Sequence, residues 1–351
     1  MRKLLAVIAA ALLPLICFAD AKSTKPLRIA SFNTELSRKG PGLLLRDLHR
    51  GNDPQIVAIL DVLTQANADI VVLQGVDWDN DNRAITELRN QLVKRLTRYS
   101  YIYAAQPNTG LPTGLDMDGD KRRGSARDAQ GYGHFTGQDG MAILSRFPIL
   151  FAEIRNFSDL HWKDLPGAVL PEHPDGEPFP SREAQAIQRL STTGHWVVPI
   201  LIPDGTRLTV LAFQATPPLF DGPEDRNGLR NRDEIRLWQL LLDGALGPAP
   251  HSPWVIAGGA NLDPDRGAGM RQAIRDLLTD PRLQNTIPHD PTGSVATVDW
   301  GESRRMRVDY LLPSVDVSVQ DSGVLWPKSI GSEARPASRH ALIWVDLLIT
   351  P

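Results

Sequence analysis

The sequence predicts an α/β fold in which β-sheets pack together and helices cover them. Three observations lead there. The chain opens in the order strand–helix–strand–helix. The remainder is rich in strands, including one hairpin signal. Hydrophobic residues make up 42% of the 351, enough for a sizeable core.

Leu27 to Asn33 reads as a strand, with Arg28, Ser31 and Asn33 punctuating apolar residues. Ile56 to Ala66 has helical spacing, with Ile56, Ile59, Leu60 and Leu63 on one face. Ile70 to Gln74 is a short apolar strand, and Ala84 to Thr97 an amphipathic helix repeating Leu88, Leu92 and Leu96. Strands are expected at Tyr101–Ala105, Met141–Leu144, Ala186–Leu190, Trp196–Ile202 and Leu208–Phe213. Asp204-Gly205 marks a hairpin between the last two. Asn231 to Leu242 is a helix, Trp254 to Ala257 a strand, and Arg271 to Thr279 a helix stopped by Pro281. Val308–Leu312, Val315–Val319 and Ala341–Leu348 are the closing strands. Two long loops interrupt the series, Gln106–Gly137 and Phe157–Arg182, the second with five prolines. Mixed order with antiparallel hairpins suggests packed sheets. Neither loop is polar enough to be a linker, so residues 22–351 are read as one domain.

The first 21 residues form a separate unit. Arg2 and Lys3 precede an apolar run from Leu4 to Phe18, and Ala19-Asp20-Ala21 offers small residues for cleavage. That is the pattern of a signal peptide, so an exported protein, periplasmic or extracellular, is expected. The run is too short for a comfortable membrane span. Cys17 is the only cysteine, and Ile16 before it argues against lipidation. A mature chain would therefore hold together without disulfides. The formal charge is −3, becoming −4 once the leader is removed. Nucleic-acid binding through phosphates favours a basic surface, which this balance does not supply.

Several motifs carry chemistry. Arg28-Ile-Ala-Ser-Phe-Asn33, Val71-Val-Leu-Gln-Gly75-Val-Asp77 and Gly140-Met-Ala-Ile-Leu-Ser-Arg146 come first. The block Thr216-Pro-Pro-Leu-Phe-Asp-Gly-Pro-Glu-Asp-Arg-Asn-Gly228 is next, then Trp254-Val-Ile-Ala-Gly-Gly259-Ala-Asn261. Arg307-Val-Asp309-Tyr and Ser338-Arg339-His340 close the set. In this order the chain resembles the endonuclease/exonuclease/phosphatase superfamily, the deoxyribonuclease I-like proteins, and within it secreted bacterial members. The resemblance spans nearly all of the mature chain. It implies a four-layer αββα sandwich with two mixed β-sheets packed face to face, and a Mg²⁺-dependent hydrolase of phosphate esters with its site at the strand ends.

Carried over residue by residue, the resemblance matches Asn33, Asn261, Asp309 and His340 to the family's catalytic positions. It also exposes four losses. The family's metal-binding Glu is Gly75, its His is Gln214, the Asp of its Gly-Asp-x-Asn motif is Gly259, and the Asp before the final His is Arg339. Three acids vanish and one base appears, a change of +4 in one pocket. Mg²⁺ relies on hard carboxylate oxygens that amides do not replace. No cofactor is therefore expected to be held as the family holds Mg²⁺. Restoring Gly75→Glu, Gln214→His, Gly259→Asp and Arg339→Asp together should revive hydrolysis if only side chains are missing.

The residues that remain suggest binding of phosphate-containing small molecules or other anions. His340 can pair with Asp309, and Arg339 can offer a guanidinium to phosphate. Arg226, Asn227 and Arg230 are further candidates for substrate contact. The simpler alternative for Asp221–Arg236 is a self-satisfied loop capping the helix after it. A second reading is an active phosphoesterase that recruits Glu35, Asp77, Asp139 and Asp263. A third is a partner-binding surface on the 216–230 loop. Asp116, Asp118 and Asp120 alternate as in calcium loops, but Lys121 and Arg127 stand where such loops want Gly and Glu.

Overall fold

The computed structural model describes residues 26–301, 304–330 and 335–349. The expected leader lies outside them. In chain order the strands are β1 (Leu27–Asn33), β2 (Ile70–Val76), β3 (Tyr101–Tyr103), β4 (Gly140–Ser145), β5 (Arg155–Asn156), β6 (Gly194–Leu201), β7 (Arg207–Gln214) and β8 (Trp254–Gly259). They continue as β9 (Val298–Asp299), β10 (Arg305–Met306), β11 (Asp309–Pro313), β12 (Ser318–Leu325), β13 (Ser329–Ile330), β14 (Arg335–Pro336) and β15 (Leu342–Leu348). The helices are α1 (Leu43–Arg50), α2 (Pro54–Ala66), α3 (Arg83–Lys94), α4 (Arg182–Ile187), α5 (Arg226–Leu242) and α6 (Gln272–Leu278).

One sheet has six strands in the order β12-β15-β1-β2-β4-β3, the other five in the order β11-β8-β7-β6-β5. Both are mixed. β1 and β2 run parallel, as do β7 and β8, while their other pairings are antiparallel. A parallel pair needs a crossover, which α1 and α2 supply for the first pair and α5 for the second.

Alternation along the strands divides the apolar residues into three cores. Ile29, Ile70, Val72, Ile143, Val345, Trp196, Val210, Val255 and Leu311 face inward between the sheets. Ala30, Val71, Leu73 and Leu144 face outward beneath α1, α2 and α3. Leu211, Phe213, Ile256 and Tyr310 face outward beneath α5 and α6. The result is the four-layer αββα sandwich. α2 starts where Asp53 accepts the Ile56 amide at 3.0 Å with Pro54 in its first turn, and it stops at Asn67 in the left-handed region.

Several elements differ from the sequence expectation. Ala186–Leu190 is no strand: Ser181 caps α4 by accepting the Ala184 amide at 3.1 Å, and that helix takes Ala186 and Ile187. The edge strand expected at Val315–Val319 begins at Ser318 and runs on to Leu325, because a turn occupies the residues before it. α5 starts at Arg226, ahead of Asn231, and α1 is an element the spacing does not predict.

Candidate active site

The carboxyl ends of β1, β2, β7 and β8 meet the amino ends of β11 and β15 at one end of the sandwich. Pairing register places the residues there. Gln214 lies opposite Gly259, and Gly259 opposite Asp309. Paired residues share a face, so these three stand in a row that continues the inter-sheet faces of Ala212, Ala257 and Leu311. From the other sheet come Asn33 and Gln74, paired in register.

His340 and Asp309 join the two sheets across this end. His340 Nδ1–H donates to Asp309 Oδ2 at 2.8 Å, and only 4% and 3% of the two residues is exposed. Thr297 Oγ1 donates to the same carboxylate at 2.8 Å and accepts the amides of Val308 and Asp309. A buried carboxylate needs such partners. Burial alone would lower the His340 pKa, but the charge and hydrogen bond of Asp309 prevail and raise it above the ordinary imidazole value. The imidazolium is thus the form this pocket favours.

Gly75, where the resemblance expects a metal-binding glutamate, is fixed by its surroundings. It sits at a β-bulge with φ +70°, a region that favours glycine. A Cβ there would lie 2.6 Å from Asn33 Oδ1 and 2.8 Å from the Glu35 amide nitrogen. The Asn33 carboxamide and the Glu35 backbone therefore crowd the start of any side chain at position 75, so the residues present do not fit a metal-binding carboxylate there. Asn33 itself turns inward on this loop, its Oδ1 accepting the Glu35 amide at 3.3 Å.

Arg339 is engaged by Glu35. The Arg339 amide donates to Glu35 Oε2 at 2.8 Å, and its Nε and Nη2 donate to Oε1. Burial pushes the Glu35 carboxyl up, but Arg339 overcomes this and holds it below the ordinary range. The +4 change expected from sequence is accordingly reduced locally, since Glu35 supplies a compensating negative charge. Both residues stand out in the sequence, but their pairing does not, because 304 positions separate them.

Asn261, with φ 51°, donates to the Ala215 carbonyl at 2.8 Å. It ties the β8 exit to the β7 exit. A Cβ on Gly259 would collide with Gln214 Oε1 and lie 3.2 Å from Asp309 Oδ1. Both oxygens are buried without a partner, and Gln214 already fills the space a side chain at position 259 would enter.

The alternative carboxylates are mostly committed. Asp77 accepts from Ser37 Oγ and from the amides of Arg38 and Asp139, at 2.7, 2.8 and 3.1 Å. Asp263 accepts the amides of Asp265, Arg266 and Arg307. Asp139 opens to solvent at the rim but is crowded by protein on its other sides. That crowding, with the charges of Asp77 and Glu35, pushes its carboxyl up to about 6. Among the described residues, these acids do not form a group of three or more with all ligand atoms within 4.8 Å.

Of the other candidates, Arg230 is 6% exposed and donates to the carbonyls of Leu190, Gln130, Arg189 and Ser191. That is a structural post out of a substrate's reach. Arg226 donates to the Met117 carbonyl, and Asn227 donates to the Leu219 carbonyl while its amide meets Asp221. The polar groups of this region are thus largely engaged, Arg226 and Arg230 by carbonyls outside it and Asn227 near its start. Asp116, Asp118 and Asp120 do bring ligand atoms within 4.8 Å of one another. Asp116 is already engaged by the amides of Asp118, Gly119 and Lys121.

Two mixed sheets between helical layers, with polar residues gathered at one set of strand ends, define the deoxyribonuclease I-like class. The chain belongs to the endonuclease/exonuclease/phosphatase family, whose model matches residues 30–340. Solved structures agree on the fold. An endonuclease/exonuclease/phosphatase from Beutenbergia cavernae is 16% identical with a TM-score of 0.57, over 93% of this chain and 72% of that one. Sphingomyelinase C from Streptomyces griseocarneus is 18% identical with a TM-score of 0.52, over 92% and 99%. A family protein from Leptotrichia buccalis is 16% identical with a TM-score of 0.51, over 92% and 100%. No match was found among curated proteins. Among the described residues no helix is long and apolar enough to cross a membrane.

Proposed function

We propose that this chain is an exported, remodelled family member that binds a phosphate-bearing small molecule or free anion and does not carry out divalent-metal hydrolysis. One observation carries the reading: the Asn33 carboxamide and the Glu35 backbone crowd the point where a side chain at position 75 would start, and Gly75 holds a positive φ there. The loss is built into the loop. With the metal anchor gone, the positive group best placed for an anion is the His340 imidazolium, oriented by Asp309. Arg339 contributes less than its charge suggests, because Glu35 engages two of its nitrogens.

The commitments of Glu35, Asp77 and Asp263 weigh against an active site rebuilt from those acids. Titration calorimetry with inorganic phosphate and a phosphomonoester, with and without Mg²⁺, tests the proposal, alongside hydrolysis of a generic phosphodiester. Metal-independent binding without turnover supports it. Binding that requires Mg²⁺, or metal-dependent turnover, overturns it. Export is checked separately by sequencing the amino terminus of protein recovered outside the cytoplasm, which should start near Lys22.

A further inference from the structure

The two long loops and α4 close around the first residue of α5. Met117 comes from one loop, Trp162, Leu170, Phe179 and Pro180 from the other, and Arg226 from α5. Together they line an open cleft of about 250 Å³, its mouth included. A Cβ on Gly119 would stand 3.2 Å from Phe179 Cε2, so the two loops touch there. Gln185 of α4 fixes one wall, its Nε2 donating to the carbonyls of Pro171 and Phe179 at 2.6 and 3.1 Å. Trp162 is buried, and its Nε1 donates to Asp233 Oδ2 at 2.8 Å. The walls are thus mainly apolar and held in place before any ligand arrives.

Arg226 brings the cleft its charge. Its Nη1 donates to the Met117 carbonyl, which leaves Nε and Nη2 uncommitted. Among the described residues no carboxylate stands within the 4.0 Å of an ion pair with it. Burial is the largest influence on this guanidinium and lowers its pKa, outweighing the attraction of Asp118, Glu224 and Asp221. A cation drawn out of water without a contacting counter-ion is costly, and an anion that reaches it offsets the cost.

We propose that this cleft binds a small monocarboxylate with an apolar body. The carboxylate takes the remaining N–H groups of Arg226, whose planar fork matches two oxygens. The body lies against the apolar walls. A single negative charge is preferred because Asp118, Glu224 and Asp221 act on the same place and oppose a dianion twice as strongly. The volume falls short of the roughly 300–1,000 Å³ of drug-sized sites, which points to a ligand near benzoate in size. None of these residues belongs to the row of Gln214, Gly259 and Asp309, so the inference does not rest on the function proposed above.

Titration calorimetry of the intact protein with benzoate tests this. A Kd of about 1 mM or tighter is expected. Arg226→Gln should weaken binding roughly tenfold or more, and so should replacing benzoate by uncharged benzamide. Excess inorganic phosphate should leave benzoate bound. If Arg226→Gln does not fold, the Arg226 Nε–H resonance of the wild type decides, since benzoate should shift it. No binding up to about 10 mM benzoate overturns the proposal. Equal affinity in a folded Arg226→Gln, equal affinity for benzamide, displacement by phosphate or an unmoved Arg226 resonance does the same.

Discussion

The His340–Asp309 pair sets the pH behaviour of the site. The folded imidazole pKa is raised, so the pair's contribution is complete below the ordinary value of 6.5 and fades as pH climbs through the higher folded value. Phosphate affinity should take the same course, strong in mild acid and lost in base, which calorimetry across pH would show. Asp309→Asn should weaken phosphate binding at neutral pH by roughly tenfold or more. Removing one partner of a buried pair should also destabilise the fold by about 3–5 kcal/mol in urea titrations. At Gly75, a glutamate would have to enter a positive-φ position against backbone, costing about 1–3 kcal/mol from strain alone. The quadruple variant that restores the family's residues is therefore expected to show no Mg²⁺-dependent phosphodiesterase activity. Enzyme assay of that variant, once shown to be folded, checks this. The sequence made the absence of a glutamate legible; the backbone response to it was not, because φ at a bulge depends on neighbouring strands.

At the scale of elements, α5 is the support of the site. Asn231→Ala would strand the Thr216 and Ala260 carbonyls, at about 1–3 kcal/mol per unsatisfied group, and should raise exchange across residues 214–217 and 259–262 together. The polar density of Asp221–Arg236 is visible in the sequence, yet it does not say which groups face inward. Arg230 and Glu234 look like surface charges until the helix is docked against β7 and β8. The opposite case occurs at Ala186–Leu190. Its apolar spacing suits a strand, but Pro180 and the Ser181 cap start a helix that absorbs its first half. Strands with near-continuous apolar runs, such as β7 and β8, were legible because burial on both faces leaves little choice of residue.

Across the whole molecule, stability comes from three apolar cores, and the sequence has no cysteine beyond Cys17. Thermal unfolding of the mature chain should therefore be unchanged by dithiothreitol, as a calorimetric scan can establish. The layer order was legible from the motif series, while long-range pairings such as Glu35 with Arg339 were not, since each local stretch is consistent with many partners. The six-stranded sheet has one more consequence. β15, close to the carboxyl end, lies between β12 and β1, and Arg28 clasps Asp346 across that junction at 2.7 Å. β1 can pair with β2 early, but its other ladder waits for β15, 318 positions later at Arg28–Asp346. Nascent chains that stop short of β15 would stay unzipped along that seam.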